Sequence, residues 1–138
     1  MTYETFFGIL NHLYFRSFNV KILVVDDSGF ARRALIKLLN EQLEGWEIID
    51  TGDGKQAVPL FKQHKPDLVF LDLTMPEVRG EEILEEIRTF DKKSIIIVVS
   101  ADIQLKTREN VIALGANYMV NKPINAEKIA QALTNVMC

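Results

Sequence analysis

The chain has 138 residues, of which 48% are hydrophobic and 25% charged, so it is expected to form one soluble globular domain and is neither disordered nor collagen-like. Its formal net charge of -3 arises from 16 Lys plus Arg against 19 Asp plus Glu, and the absence of a basic stripe argues against nucleic-acid binding. The single cysteine, Cys138, excludes an internal disulfide and favours a cytoplasmic location, and no apolar run is long enough to span a membrane.

The first 18 residues differ from the rest in their density of large apolar side chains. Phe6, Leu10 and Leu13 follow a helical spacing, and the lack of a basic stretch ahead of them is unlike a signal peptide. We therefore expect residues 1–18 to form an N-terminal extension. It is either a short amphipathic helix that docks on the domain or on a partner, or a frayed or mis-started tail. Residues 19–138 would then form the main domain.

Apolar runs typical of buried strands alternate with amphipathic helical patterns from residue 19 onward. Three runs, 22–25, 68–71 and 95–99, are continuously apolar, as parallel strands covered on both faces must be, and we expect them at the centre of a sheet. Residues 46–49 are half apolar and residues 118–120 form a short run, which suits its two edges. The helical repeats between these runs are Ala31, Leu35 and Leu38; Ala57 and Phe61; Ile83, Leu84 and Ile87; and Ile129, Leu133 and Val136.

This alternation predicts an α/β fold with a single doubly wound, five-stranded parallel sheet and helices on both faces. The strand order is expected to be 2-1-3-4-5, as in flavodoxin-like folds. Pro59 conflicts locally with the second helix. If Asp53 caps that helix, the proline lies beyond the first turn, so a kink or a late helix start is expected.

Polar residues follow the strands at the edge where a doubly wound sheet binds its ligands. The first strand leads into Asp26 and Asp27, the third ends in Asp72, the fourth ends in Ser100, and the fifth is followed by Lys122. In the expected order the first and third strands are neighbours, so the three carboxylates share a small volume. They would repel one another unless a cation offsets their charge, and Mg²⁺ suits such a set because it accepts one or two carboxylates and keeps several waters.

Each of these residues also has a plain structural explanation. Asp27 or Ser28 could cap the first helix, Asp72 could belong to a turn, Ser100 could cap the fourth helix, and Lys122 could be a solvated loop residue. The convergence of all of them at one edge favours a shared site over separate coincidences.

The same residues carry a resemblance to a known family. From about residue 19 to residue 138, the chain resembles the receiver domain of two-component response regulators, especially the stand-alone type that the chemotaxis response regulator typifies. The motifs that carry the resemblance, in matching order and spacing, are Val24-Val25-Asp26-Asp27-Ser28, Leu71-Asp72-Leu73-Thr74-Met75-Pro76, Val99-Ser100-Ala101, and Gly115-Ala116 followed by Lys122-Pro123.

The resemblance implies that Asp72 accepts a phosphoryl group from a histidine kinase or another phosphodonor in a Mg²⁺-dependent reaction. It implies that Asp27, Asp72 and the backbone carbonyl of Thr74 bind the metal directly, and that Asp26 acts mainly through a metal-bound water. The expected function is that of a single-domain response regulator in a two-component phosphorelay. Such a protein catalyses its own phosphorylation and dephosphorylation and is not an enzyme with a separate substrate.

The resemblance also assigns the phosphoryl contacts. Lys122 would pair with Asp72 and then with a phosphoryl oxygen, to which it offers a point charge. Its peptide bond to Pro123 is cis in the family. Ser100 would donate its hydroxyl to another phosphoryl oxygen.

One position departs from the family pattern. Receivers usually carry Tyr or Phe three residues before the lysine, where this chain has Met119, and Tyr118, one residue earlier, should point to the opposite face of the sheet. A flexible Met can still fill the space that Ser100 vacates in the switch. In the family, the residue two past the nucleophile and the residue two past the hydroxyl flank the path of the hydrolytic water, and the resemblance implies that Thr74 and Asp102 tune the dephosphorylation rate here.

Three alternatives remain open. A phosphohydrolase of the haloacid dehalogenase type needs an Asp two residues beyond its nucleophile, where this chain has Thr74. A flavodoxin-type carrier needs a hydroxyl-rich loop after the first strand, where this chain has Asp26-Asp27-Ser28-Gly29. The third alternative, a receiver-like adaptor that is never phosphorylated, has no reason to keep three repelling acids.

A single receiver-like domain is expected to report its state by docking. The expected partners are a histidine kinase or phosphotransfer protein and a downstream target, and a homodimer is also compatible with the sequence. The resemblance implies that the target binds the face formed by the fourth helix, fifth strand and fifth helix, where the family usually docks its targets. The side chains expected to be exposed there are Lys106, Arg108, Tyr118 and Lys128.

Overall fold

The computed structural model describes residues 20–137, in which strands and helices alternate along the chain. The strands are β1 (Lys21–Val25), β2 (Glu47–Thr51), β3 (Leu68–Asp72), β4 (Ile95–Ser100) and β5 (Tyr118–Asn121). The helices are α1 (Gly29–Gln42), α2 (Ala57–His64), α3 (Gly80–Phe90), α4 (Leu105–Leu114) and α5 (Ala126–Met137), with a short 3-10 turn, Gly54–Gln56, before α2. The N-terminal extension predicted at residues 1–18 lies outside the described residues.

The strands form one parallel sheet in the order β2-β1-β3-β4-β5, which confirms the predicted fold and strand order. The central strand β3 is buried along its whole length, whereas the edge strand β2 has an exposed residue at position 47 and another at position 50. This difference follows from coverage, because helices on both faces exclude water from the central strands and leave the edges partly open.

Alternate residues of each strand enter two separate cores, one on each face of the sheet. In β1, Leu23 and Val25 pack on the face that α2, α3 and α4 cover, while Ile22 and Val24 pack on the face of α1 and α5. The two layers of helices therefore hold the sheet from both sides and leave the strand ends open. In residues 20–137, no helix combines the length and the apolar character that crossing a membrane requires.

Local signals set where the first two helices begin. The Ser28 hydroxyl accepts a hydrogen bond from the Ala31 N–H at 3.1 Å and so caps α1. The Asp53 carboxylate caps the 3-10 turn instead of an α-helix, and α2 begins only at Ala57. Pro59 then lies in the first turn of α2, where no intrahelical hydrogen bond needs its missing N–H. The late helix start expected from this proline is confirmed.

Helix α3 begins directly against the end of β3, because its first residue has no side chain. The Gly80 N–H donates to the Leu73 carbonyl at 3.0 Å. A Cβ atom at Gly80 would overlap the carbonyl oxygen of Asp72 and lie 2.7 Å from the Cα atom of Leu73. The glycine thus lets α3 approach the strand end that carries Asp72.

A Gly80→Ala substitution is expected to lower the free energy of unfolding by about 2 kcal/mol, because the new methyl group meets backbone atoms that cannot rotate away. Urea denaturation checks this value. The matched control is Gly29→Ala at the start of α1, where the nearest atom to a new Cβ is the movable guanidinium of Arg33 at 3.0 Å. Equal stabilities of the two variants would contradict the steric account.

Candidate functional site

Three aspartates meet at the carboxyl ends of the adjacent strands β1 and β3. Asp26 and Asp27 follow β1, and Asp72 is the last residue of β3. One carboxylate oxygen from each lies within 4.8 Å of the other two. Asp26 and Asp72 are buried, whereas Asp27 is exposed. The structure therefore brings together the three acids that the sequence predicts for one site, and it leaves one side of the cluster open to solvent.

Lys122 reaches the acidic cluster from the end of β5. Its ammonium nitrogen lies 3.2 Å from Oδ2 of Asp26 and 3.3 Å from Oδ1 of Asp72. The Lys122-Pro123 peptide bond is cis, as the family resemblance implies. Since β4 separates β5 from β3 in the sheet, the lysine extends across the end of β4 to make these contacts.

The electrostatic state of Asp72 reflects this crowding. Burial, followed by repulsion from the Asp26 carboxylate, raises the pKa of Asp72 from 3.8 to about 6, and the nearby ammonium of Lys122 offsets only part of this effect. Burial opposes the charge on Lys122, but attraction to Asp72 and Asp26 outweighs it and raises the pKa of the lysine above its ordinary value. Lys122 therefore remains a cation beside two carboxylates.

The donor set fits a hard divalent cation. Three carboxylates against one ammonium leave two negative charges uncompensated, and carboxylate oxygens are the ligands that Mg²⁺ prefers. The exposed side of Asp27 would let a bound ion keep several waters, as Mg²⁺ does in proteins. The residues placed to hold such an ion are Asp26, Asp27 and Asp72.

Three residues that the sequence analysis assigns to the switch or to tuning the dephosphorylation rate lie beside this cluster. Thr74, Ser100 and Asp102 line one open groove of about 750 Å³ between the start of α3 and α4. The buried Ser100 hydroxyl accepts a hydrogen bond from the Asp102 N–H at 3.0 Å. Ser100 therefore does not cap α4, whose N-cap is Gln104.

The Asp102 carboxylate is fixed within its own loop. It accepts hydrogen bonds from the Thr107 hydroxyl at 2.6 Å and from the Gln104 N–H at 2.9 Å. These two bonds lower the pKa of Asp102 below its ordinary value, so the group stays ionised. The contact between Asp102 and Thr107 ties the end of β4 to the first turn of α4.

Met119 and Tyr118 point to opposite faces of the sheet, as predicted. Met119 is buried in the core beneath α2, α3 and α4, next to Val98 in the strand register. Tyr118 is half-buried and packs against the core beneath α1 and α5. The position that carries an aromatic ring in most receivers is therefore filled here by a buried methionine.

Two contacts near the site involve residues that the sequence analysis does not single out. Arg32 donates through Nη1 to the Asp26 carbonyl at 2.6 Å, and Thr107 holds Asp102 as described above. No local signal in the sequence distinguishes Arg32 from Arg33, the exposed arginine beside it near the start of α1.

Comparison with known proteins agrees with this geometry. A model of the family described as "Response regulator receiver domain" matches residues 22–134. The chain is 36% identical over 118 residues to the chemotaxis protein CheY of Bacillus subtilis (strain 168), which covers 85% of this chain and 97% of that protein. It is 37% identical over 120 residues to protein CcdB of the same organism, again with 85% of this chain and 97% of that protein covered.

Among solved structures, a complex of CheX, CheY, BeF3 and Mg²⁺ from Borrelia burgdorferi contains a similar chain. That chain is 33% identical to this one with a TM-score of 0.83, and the match covers 91% of this chain and 94% of the other. Sequence, fold and site geometry agree, and the chain belongs to the response regulator receiver domain family.

Proposed function

We propose that this protein accepts a phosphoryl group on Asp72 in a Mg²⁺-dependent reaction and signals by binding a partner protein in its phosphorylated form. The observation that carries the proposal is the position of Asp72, a buried carboxylate at a strand end with two other acids within 4.8 Å and a lysine in contact. A histidine kinase or a phosphotransfer protein would supply the phosphoryl group. The protein would catalyse transfer onto itself and act on no separate substrate.

In phosphoryl transfer, Asp72 would act as the nucleophile and the acidic cluster would hold the metal ion. An ionised Asp72 oxygen attacks the phosphorus, the bond from phosphorus to the donor breaks, and an acyl phosphate forms on Asp72. Bound Mg²⁺ would neutralise the charge that spreads over the phosphoryl oxygens in a loose transition state. Asp26, Asp27 and Asp72 would hold it, with the Thr74 carbonyl as the further ligand that the family resemblance implies.

Lys122 lies where its ammonium can contact Asp72 before phosphoryl transfer and a phosphoryl oxygen after it. It already contacts an oxygen of Asp72, so a small movement would pair its ammonium with a phosphoryl oxygen after transfer. Its second contact, to Asp26, would hold it near the site before transfer. The expected rate-tuning roles of Thr74 and Asp102 fit their place in the adjoining groove and stay predictions.

Relatives indicate the type of pathway and partner. The Bacillus subtilis relative is named a chemotaxis protein, and the Borrelia burgdorferi relative was solved with CheX and Mg²⁺. We therefore place this protein in two-component signalling of the chemotaxis type. Its output would be a protein-protein contact made in the cytoplasm.

The face of α4, β5 and α5 is the surface that we propose for a downstream target. Exposed apolar residues lie at the start of α4, where Ile103 is 77% exposed and Leu105 is 68% exposed. Lys106 and Arg108 are exposed there, as expected. The expectation is wrong for the other two residues. Tyr118 is half-buried, and the ammonium of Lys128 donates to the carbonyls at positions 121 and 123.

Uptake of phosphate from a small-molecule acyl phosphate tests the proposed function. Radiolabel is expected to enter the protein in the presence of Mg²⁺ and to be absent when EDTA removes the metal, since Asp72 then faces uncompensated acids. Absence of label under both conditions would overturn the proposal and favour the non-phosphorylated adaptor. Release of free phosphate from many turnovers of a separate phosphate ester would favour a hydrolase instead.

Ser100→Ala is expected to leave Asp72 able to accept phosphate but to remove the effect of phosphorylation on the start of α4. In the parent, a χ1 rotation that carries the Ser100 oxygen toward the phosphoryl group would break the hydrogen bond that this oxygen accepts from the Asp102 N–H, and would so change the loop that Asp102 shares with Thr107. The amide NMR shifts of Asp102 and Thr107 report this change. Ser94→Ala, a buried serine at the opposite edge, is the control. Equal phosphorylation-induced shifts in Ser100→Ala and the parent would contradict this route.

A further inference from the structure

Arg32 links three elements around the acidic cluster. From α1, its Nε donates to the Asp50 carboxylate of β2 at 2.6 Å, and its Nη1 donates to the Asp26 carbonyl at 2.6 Å. The Arg32 side chain is 21% exposed, so water screens these contacts only in part. One guanidinium thus ties the loop after β1 to the neighbouring edge strand, a task that suits its rigid, planar set of donors.

The hydrogen bond from Arg32 to the Asp26 carbonyl restrains the whole peptide group that joins Asp26 to Asp27. The carbonyl group of residue 26 and the N–H and Cα atoms of residue 27 lie in one rigid peptide plane. The Asp26 N–H donates to the Thr51 carbonyl of β2 at 3.2 Å, so the chain is held on both sides of Asp26. A guanidinium that holds this carbonyl therefore also restrains the position of the Asp27 Cα atom, from which the Asp27 carboxylate extends.

Gly52 provides the space that the guanidinium occupies. A Cβ atom at Gly52 would lie 2.7 Å from Nη1 of Arg32, closer than real Cβ contacts come. A side chain at position 52 would therefore displace the guanidinium from its bridge. A substitution at Gly52 would consequently move the Arg32 guanidinium without removing its charge.

We infer that Arg32 is a positioning residue for the cation site. The Asp50 carboxylate holds its guanidinium in place, and Gly52 leaves the space that the guanidinium occupies. The two hydrogen bonds of Arg32 go to the Asp50 carboxylate and to the Asp26 backbone carbonyl, and neither acceptor is one of the carboxylate oxygens grouped at the site. It acts by fixing the peptide between Asp26 and Asp27, so that both carboxylates face the position of the ion. This inference rests on the proposed function, because it concerns the Mg²⁺ site of that same reaction.

Long-range electrostatics and ligand positioning predict opposite effects of Arg32 on Mg²⁺ affinity. Arg32 is a cation near a site that binds a cation, so its removal should tighten Mg²⁺ binding if only long-range electrostatics matter. If Arg32 positions the ligands, its removal should weaken binding, since residues that orient metal ligands typically change affinity by about 10–100-fold when they are replaced. The sign of the change in affinity therefore separates the two accounts.

The experiment titrates Mg²⁺ alone into the full chain and follows the dissociation constant by calorimetry and by the amide NMR shift of Asp27. Arg32→Met is expected to raise the dissociation constant by about tenfold. Arg32→Lys keeps the charge but cannot bridge two oxygens in the same way, so it is expected to bind as weakly. Arg33→Met, at an exposed neighbour on the same helix, is the charge-matched control and is expected to bind as the parent does.

Gly52→Ala keeps the test decisive if Arg32→Met fails to fold. This variant retains Arg32 and Asp50 and is expected to weaken Mg²⁺ binding in the same direction. A folded Arg32→Met or Gly52→Ala protein that binds Mg²⁺ at least as tightly as the parent overturns the inference. Failure of the parent itself to bind Mg²⁺ would instead overturn the proposed function, so the two failures are distinguishable.

Discussion

An Asp72→Asn variant is expected to take up no phosphate from a small-molecule acyl phosphate, even with Mg²⁺ present. An amide lacks the anionic oxygen that attacks phosphorus. Asp26 is a poor substitute, because its two carboxylate oxygens accept hydrogen bonds from the Ser28 N–H and from Lys122. Radiolabel bound to the parent should be released by mild base, as an acyl phosphate is, and the variant should carry none.

The matched control for this result lies at the other end of the same strand. Asp67 precedes β3 and accepts a hydrogen bond from the Lys21 N–H at the amino edge of the sheet. Asp67→Asn should therefore take up phosphate as the parent does. Label that persists in Asp72→Asn at the parent level would show that another residue is the acceptor.

The same Asp72→Asn substitution is expected to make the Mg²⁺-free protein more stable at neutral pH. The pKa of Asp72 is 3.8 in the unfolded chain and about 6 in the folded one, so between these values the folded state holds a proton that the unfolded state has released. The Asp72 contribution to stability therefore falls as the pH rises through this window and stays unfavourable above it. Asparagine carries no charge and avoids this cost.

Urea denaturation in EDTA measures the effect. A gain of about 2 kcal/mol in the free energy of unfolding is expected at about pH 7.5, below the roughly 3 kcal/mol that the full pKa difference would allow, because Asn also loses attraction to Lys122. The gain should shrink toward about pH 4.5, where Asp72 in the folded parent is protonated. A variant that is less stable than the parent at neutral pH would contradict the account of crowded charge.

The sequence predicts the central sheet well because burial leaves a direct trace in residue type. The runs at 22–25, 68–71 and 95–99 are apolar on both faces, and they are the three inner strands. The acidic cluster follows from the same topology, since adjacent parallel strands bring their carboxyl ends together. The proximity of the Asp27 and Asp72 carboxylates can therefore be predicted from the sequence.

Contacts that depend on side-chain direction are harder to predict. Tyr118 and Lys128 look like surface residues by type, yet the first packs on a core and the second donates to backbone carbonyls. Arg32 reaches residues from two other elements, and neither distance is encoded in local spacing. Periodicity predicts which face of a helix is apolar, but it does not predict where a long polar side chain ends.

The shallow burial of α4 has a physical consequence for signalling. In α4, all of which the structure describes, Val111 is the single fully buried residue, whereas α3 buries four residues. Few apolar contacts oppose local unfolding of such a helix, so its opening free energy lies well below that of the whole domain. A modest change in the loop beside Asp72 can therefore redistribute the α4 ensemble while the sheet beneath it stays folded. Of the five helices in residues 20–137, the one with the fewest fully buried residues is thus expected to change conformation at the lowest free-energy cost.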